Sequence, residues 1–280
     1  MKASKGYAAE VVQFGGFGFA QGKACKCDLP AASKSLRMKL DRTTVTANLQ
    51  RWVSEDMPGG RTGGDCVLLP NGKIVIVNGA ASGQMGGSLQ GGSPSKNPVL
   101  NAWLYDPEAP VNQRYTVLAA SPIYRFYHST ALLLPDASVL IAGSEQTECV
   151  SGCFVSPPAL VQYQAEKYLP YYHDSELRPT IIEAGNPSSG KMGSTITLQF
   201  SGTAGEAVLV APAAVTHQLN MNQRVVGIGL TQGPKVGELN TAKFKLPGNA
   251  GRVAPPGMYM LFIMNGDIPC KKAIWFQLLL

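Results

Sequence analysis

Charge is scarce in this chain of 280 residues, where Asp, Glu, Lys and Arg together fill only 15% of positions. That scarcity, set beside 31 Gly and 20 Pro, suits many short strands joined by tight turns better than long helices. The 24 Lys and Arg outnumber the 18 Asp and Glu, for a formal charge of +6, but they are scattered and form no basic run. A nucleic-acid footprint needs clustering, so the excess reads as a solvated basic surface and no nucleic-acid partner is expected. No apolar stretch is long enough to span a bilayer, so no membrane span is expected. Met1-Lys2-Ala3-Ser4-Lys5-Gly6 lacks the apolar core of a signal peptide, though a secreted parent could have a leader ahead of this segment. Six cysteines are too few for a disulfide scaffold, and their spacing fits no zinc ribbon. Cys149 and Cys153 can close a small loop if their Cβ atoms meet. Cys25 and Cys27 are harder to bridge, since alternate residues of a strand lie roughly 6–7 Å apart. Cys66 and Cys270 read as buried or free thiols. Only three histidines exist, His128, His173 and His217, so a metal site built on imidazole has few candidates.

What the sequence does contain is a repeat. Val67-Leu-Leu-Pro-Asn-Gly-Lys-Ile-Val-Ile-Val77 and Leu132-Leu-Leu-Pro-Asp-Ala-Ser-Val-Leu-Ile-Ala142 each place a Pro-initiated turn between two apolar runs, the pattern of a β-hairpin. Ala137 departs from the pattern, because the Gly72 position favours a residue tolerant of positive φ. A weaker third copy ends in Glu10-Val-Val-Gln-Phe-Gly-Gly16. Copies recurring roughly every 65 residues imply propeller blades with long insertions. The Gly- and Ser-rich stretch from Ala80 to Asn97 reads as an irregular, solvent-exposed connection. After about Cys153 the repeat stops. Short alternating strands such as Thr195–Phe200, Ala207–Val210, Tyr259–Met264 and Ala273–Gln277 then suggest a small sandwich. The expected organisation is all-β: a partial kelch-type β-propeller of about three blades over residues 1–170, then an immunoglobulin-like β-sandwich over 171–280.

His128 directly follows Tyr127. Neighbours in a regular strand face opposite ways, so both could reach one metal only at a strand end or in a loop. Arg125-Phe-Tyr-His-Ser129 precedes the second hairpin, which is such an entrance. His217 falls at an expected strand-turn junction, and His173, in Tyr171-Tyr-His-Asp174, reads as a surface residue. By spacing alone, histidines so far apart read as structural, and the pattern does not by itself establish a metal site.

The surrounding residues add more. Arg125-Phe-Tyr-His-Ser-Thr-Ala-Leu-Leu-Leu-Pro-Asp136 resembles the segment of the glyoxal oxidase and galactose oxidase family that brings a Tyr-His pair to copper. Thr216-His217 with Asn222-Gln-Arg224 is similar to that family's second histidine segment. Arg252-Val-Ala-Pro-Pro-Gly-Met-Tyr-Met-Leu-Phe262 resembles the strand that follows it. Trp52–Pro58 and Asn97–Asn101 extend the likeness upstream, and Cys149 and Cys153 match a small disulfide loop. The resemblance implies a copper-radical oxidase that takes two electrons from an alcohol or hydrated aldehyde and reduces O2 to hydrogen peroxide. It implies Tyr127 as axial tyrosine and proton acceptor, with Tyr127, His128 and His217 as copper ligands; copper(II) suits such N,O donors. It also implies a second tyrosine, joined to a cysteine, as radical cofactor. Neither Tyr7 nor Cys25 or Cys27 can be assigned that role.

The resemblance therefore implies the C-terminal part of an extracellular oxidase of small aldehydes or primary alcohols, catalytically incomplete as this chain. The segments nearest to glyoxal oxidase favour a small aldehyde over a sugar. The rival expectation is a non-catalytic binding or cell-surface protein that keeps the fold and has lost the radical, since propellers and sandwiches host both.

Overall fold

The computed structural model describes residues 1, 5–6, 8–17, 29–40, 51–86, 95–146, 149–150, 154–155, 160–222, 224–248 and 253–280. Tyr7, Cys25, Cys27, Cys153 and the side chain of Cys149 lie outside the described residues. All regular elements described are β-strands.

The first half holds three propeller-like sheets. One pairs β1 (Ala9–Phe14), β2 (Lys34–Leu40) and β3 (Val53–Asp56) in that order. The next runs β4 (Asp65–Leu68), β5 (Ile74–Val77), β8 (Asn101–Tyr105), β9 (Tyr115–Ala120), with a hairpin of β6 (Ala80–Gly83) and β7 (Ser95–Pro98) inserted between β5 and β8. The third joins β10 (Thr130–Leu133), β11 (Val139–Ala142) and β16 (Glu166–Tyr168). Two small pairs fill its insertion: β12 (Glu145–Gln146) with β15 (Leu160–Val161), and β13 (Cys149–Val150) with β14 (Phe154–Val155).

The expected hairpins form, and they match bond for bond. In the first, Leu69 N donates to Lys73 O at 2.8 Å and Gly72 N to Leu69 O at 2.9 Å. In the second, Leu134 N donates to Ser138 O at 2.8 Å and Ala137 N to Leu134 O at 2.9 Å. The side chains of Asn71 and Asp136 each accept from the main-chain N–H two residues on, closing both turns in the same way. Gly72 has φ +83° and Ala137 φ +65°, so alanine occupies the glycine position and bears its strain. Tyr172 holds it there, with its buried hydroxyl donating to Ala137 O at 2.8 Å. The Ala80–Asn97 stretch differs from expectation: β6 and β7 pair antiparallel, Ser82 opposite Lys96.

The second half is a β-sandwich. One sheet orders β17 (Thr180–Ile181), β19 (Thr195–Ser201), β25 (Asn240–Lys245) and β24 (Thr231–Gln232). The other orders β18 (Ser189–Lys191), β28 (Ile274–Leu279), β26 (Gly257–Asn265), β20 (Glu206–Val210) and β23 (Val225–Gly229), with β27 (Ile268–Pro269) on β26. Along β19, Ile196, Leu198 and Phe200 point inward while the threonines between them are exposed, the alternation of a one-sided strand. Tyr259 to Met264 are all buried, because β26 lies between β20 and β28 and is covered on both faces. A short hairpin, β21 (Val215–Thr216) and β22 (Leu219–Asn220), leaves the sandwich and packs against β4 and β10 of the first half. That excursion positions the site.

One hydrophobic cluster runs through both halves, from Val67, Leu133 and Val139 to Phe200, Phe262 and Phe276. Arg178 crosses the joint. Its guanidinium donates to five main-chain carbonyls, those of Asp136 (2.6 Å), His173 (3.0 Å), Pro269 (3.2 Å), Cys270 (2.8 Å) and Lys271 (3.3 Å).

Candidate metal centre

Tyr127 and His128 lie just before β10, at the strand entrance the sequence indicates. His128 has φ +59°, a left-handed conformation unusual for a residue with a Cβ. The reversal breaks the strand's alternation, so the two neighbouring rings stack on one side with centroids 3.9 Å apart. In the first copy of the repeat the same place is taken by Thr62-Gly63, with Gly63 at φ +61°. The correspondence is set by the ladder, since the bridge Thr62–Ala80 recurs one repeat later as Tyr127–Glu145. A histidine therefore stands in a slot shaped for glycine, a strained placement of the kind that gathers at functional sites.

His217 reaches the same spot from the sandwich. It and Gln218 form the two-residue turn between β21 and β22, with φ +54° and +59°. Positive φ at both central residues is what a type I′ hairpin requires and what Asn-Gly normally supplies. Gln218 Nε2 donates to Phe126 O at 3.2 Å, tying the turn to the Tyr127 segment. The His217 ring centroid lies 5.9 Å from both Tyr127 and His128. Two neighbouring side chains and a third from far along the sequence thus come together where the halves meet. Tyr127 is half-buried, and the two imidazoles are exposed.

Each imidazole has its Nδ1 engaged: His128 Nδ1 with Glu145 Oε2 at 2.6 Å, and His217 Nδ1 with Thr216 Oγ1 at 2.7 Å. Neither Nε2 has a hydrogen-bond partner among the described residues. The free donors are two imidazole nitrogens and a phenol oxygen, a set that copper(II) accepts. The described residues contain no metal-holding group of three or more His, Cys, Asp or Glu side chains.

Beneath the pair, Ser129 Oγ donates to Asp65 Oδ2 at 2.9 Å, and Asn78 Nδ2 donates to the same oxygen at 2.7 Å. Burial outweighs these bonds and raises the Asp65 carboxyl to about 6. Gly86, at φ +68°, lies against the Tyr127 ring so closely that a Cβ there would come within 2.7 Å of it. In the sequence Gly86 reads only as one glycine of the Ala80–Asn97 connection, and Glu145 is not singled out. Aligning the two repeats would have flagged Glu145, a carboxylate opposite Tyr127 where the first copy has Ala80. His173 stands apart. It is largely covered and lies beside Asp136 and Asp174 in a shallow polar pocket that Arg178 also lines.

Comparison with known proteins bears on the family and the fold. The family model described as glyoxal oxidase N-terminus matches residues 2–172, and that described as galactose oxidase-like, Early set domain, matches residues 178–278. An aldehyde oxidase of Arabidopsis thaliana is 35% identical over 85% of this chain and 39% of its own length. One of Vitis pseudoreticulata is 34% identical over 85% of this chain and 45% of its own. Galactose oxidase of Gibberella zeae is 30% identical over 76% of the chain and 29% of its own. The chain thus spans less than half the length of these curated relatives. A fungal alcohol oxidase solved in complex with copper superposes with a TM-score of 0.70 at 22% identity, over 97% of this chain and 52% of that one, a likeness of fold. With one family model covering the first half, another the second, and relatives of this identity across most of its length, the chain belongs to the glyoxal oxidase and galactose oxidase family.

Proposed function

We propose that Tyr127, His128 and His217 form one side of a copper site in an oxidase of small aldehydes or primary alcohols. The observation that carries this reading is the meeting of the three rings, with neither Nε2 engaged among the described residues. A metal about 2 Å from an imidazole nitrogen lies about 3 Å from the ring centroid, so two ligating rings span at most about 6 Å. The 5.9 Å between His128 and His217 falls within that span.

In this reading the Nε2 atoms of His128 and His217 would hold the ion together with the Tyr127 oxygen, which would also receive the substrate hydroxyl proton; Gly86 against the Tyr127 ring limits its swing. Bound copper would supply a one-electron acceptor. The net reaction would pass two electrons and two protons from an alcohol or hydrated aldehyde to O2, giving an aldehyde or a carboxylic acid and hydrogen peroxide. The second electron needs another acceptor, and no residue here is assigned to the tyrosine-cysteine radical. We therefore read the chain as able to hold copper and unable to turn over. The finer organisation belongs to the same proposal: kelch-type blades over 1–170, an immunoglobulin-like sandwich over 171–280, and an extracellular location.

The exposure of His128 and His217 favours a second reading, a binding or cell-surface protein that keeps the fold without the chemistry. Copper titration of the purified chain separates the two. We expect stoichiometric copper(II) binding that weakens by about 10-fold or more in His217→Ala, with no sustained peroxide from methylglyoxal, glyoxal or galactose. Affinity equal to that of a His128→Ala/His217→Ala variant would remove the copper site. Sustained peroxide that disappears in His217→Ala would remove the claim of catalytic incompleteness.

A further inference from the structure

Glu145 grips the Tyr127-His128 pair twice. Its main-chain N–H donates to Tyr127 O at 2.6 Å, and its side-chain Oε2 lies 2.6 Å from His128 Nδ1. The first copy of the repeat keeps only the main-chain part of this grip. There the bridge joins Thr62 to Ala80, which has no polar side chain, and the residue at the histidine's place is Gly63. Imidazole and carboxylate thus occur together in one copy and are both missing from the other. A structural role common to both copies would not require the pair.

We propose that Glu145 is a positioning residue that fixes the tautomer and orientation of His128, presenting Nε2 to the ion; this rests on the copper reading above. A carboxylate only accepts hydrogen bonds, so the contact places the proton on Nδ1 and leaves the lone pair on Nε2. An exposed imidazole without such a partner exchanges tautomers and turns about its Cβ–Cγ bond, so both nitrogens would face the ion in turn. The carboxylate removes that freedom. His217 has no such partner: the Thr216 hydroxyl at its Nδ1 can donate or accept, so that contact does not select a tautomer.

Nitrogen-15 spectra of the metal-free chain at alkaline pH read the tautomer directly. We expect His128 to carry its proton on Nδ1 in the wild type and in Glu145→Gln, which keeps an acceptor oxygen, and to shift toward the Nε2–H form in Glu145→Ala. Copper(II) titration should show Glu145→Ala weakened about 10- to 100-fold, the range for loss of such an outer partner, with Glu145→Gln restoring most of it. In a His128→Ala background, Glu145→Ala should have no further effect, since the coupling runs through that ring. An Nε2–H tautomer in the wild type overturns the proposal, and so does an affinity loss of equal size with and without His128. The expected tautomers in a wild type that binds no copper would uphold the positioning role and defeat the copper reading instead. If Glu145→Ala does not fold, the wild-type tautomer still decides.

Discussion

Asp65 shows how much the neighbourhood of His128 asks of a single side chain. It is 1% exposed, one oxygen accepts from Asn78 and Ser129, and Oδ1 has no partner among the described residues. Water would stabilise the ionised form and is excluded, so the folded protein holds the proton up to about 6, against an ordinary value of 3.8. Between those values the folded state binds more proton than the unfolded one, so stability falls as pH rises from about 4 to about 6. The full loss amounts to roughly 3 kcal/mol. Asp65→Asn, which never ionises, should lack this component. Urea melts across that interval should show wild type losing stability relative to the variant as pH rises, and parallel curves would contradict the assignment. The strain at His128, His217 and Gln218 belongs to the same scale: three residues with a Cβ in left-handed backbone, each in a tight approach to the site.

At the scale of the element, the two hairpins form an internal comparison. Gly72 has φ +83° and open space where a Cβ would go, so Gly72→Ala adds backbone strain and nothing else, at about 1 kcal/mol. Ala137→Gly relieves the same strain but removes a fully buried methyl worth about 0.8 kcal/mol, so the two effects nearly cancel. Denaturant midpoints should therefore drop for Gly72→Ala and hardly move for Ala137→Gly. A marked gain from the second would mean that the buried methyl does not offset the strain. These hairpins were legible in the sequence because apolar runs around a Pro-initiated turn state both period and reversal. The β6–β7 hairpin was not, because its Gly and Ser residues carry no alternating pattern, and their pairing follows from main-chain contacts. Likewise the sequence could place His217 at a turn, through Thr216-His217 and its neighbours. It gave no sign of the Gln218 bond to Phe126 O, which depends on how one half meets the other, while Glu145 beside His128 emerges only when the two repeats are aligned.

For the molecule as a whole, the joint decides whether the two histidines stay together. The apolar cluster crosses it, and Arg178 binds the Asp136 turn, the His173 turn and the Pro269–Lys271 stretch into one unit. Lys73 adds a second tie nearby, between Asp106 at 3.2 Å and Asp267 at 2.9 Å. Arg178→Ala leaves buried carbonyls without donors and should cost about 3 kcal/mol, with copper affinity falling as His217 drifts from His128. Arg178→Lys should recover little, because an ammonium cannot match a planar fork aimed at several acceptors. Calorimetry reads the first expectation and copper titration the second. Wild-type values for either variant would show that the cluster alone holds the joint.

Every oxygen that Arg178 grips belongs to the main chain. Such a clasp recognises the path of the backbone and is blind to the letters written along it. His173 and Lys271 can therefore change identity while the clasp holds, and Arg178 cannot. In a saturation scan, Arg178 should prove intolerant while His173 and Lys271 accept most replacements. Drift in sequence around the joint would then proceed without disturbing the distance between the two halves of the site.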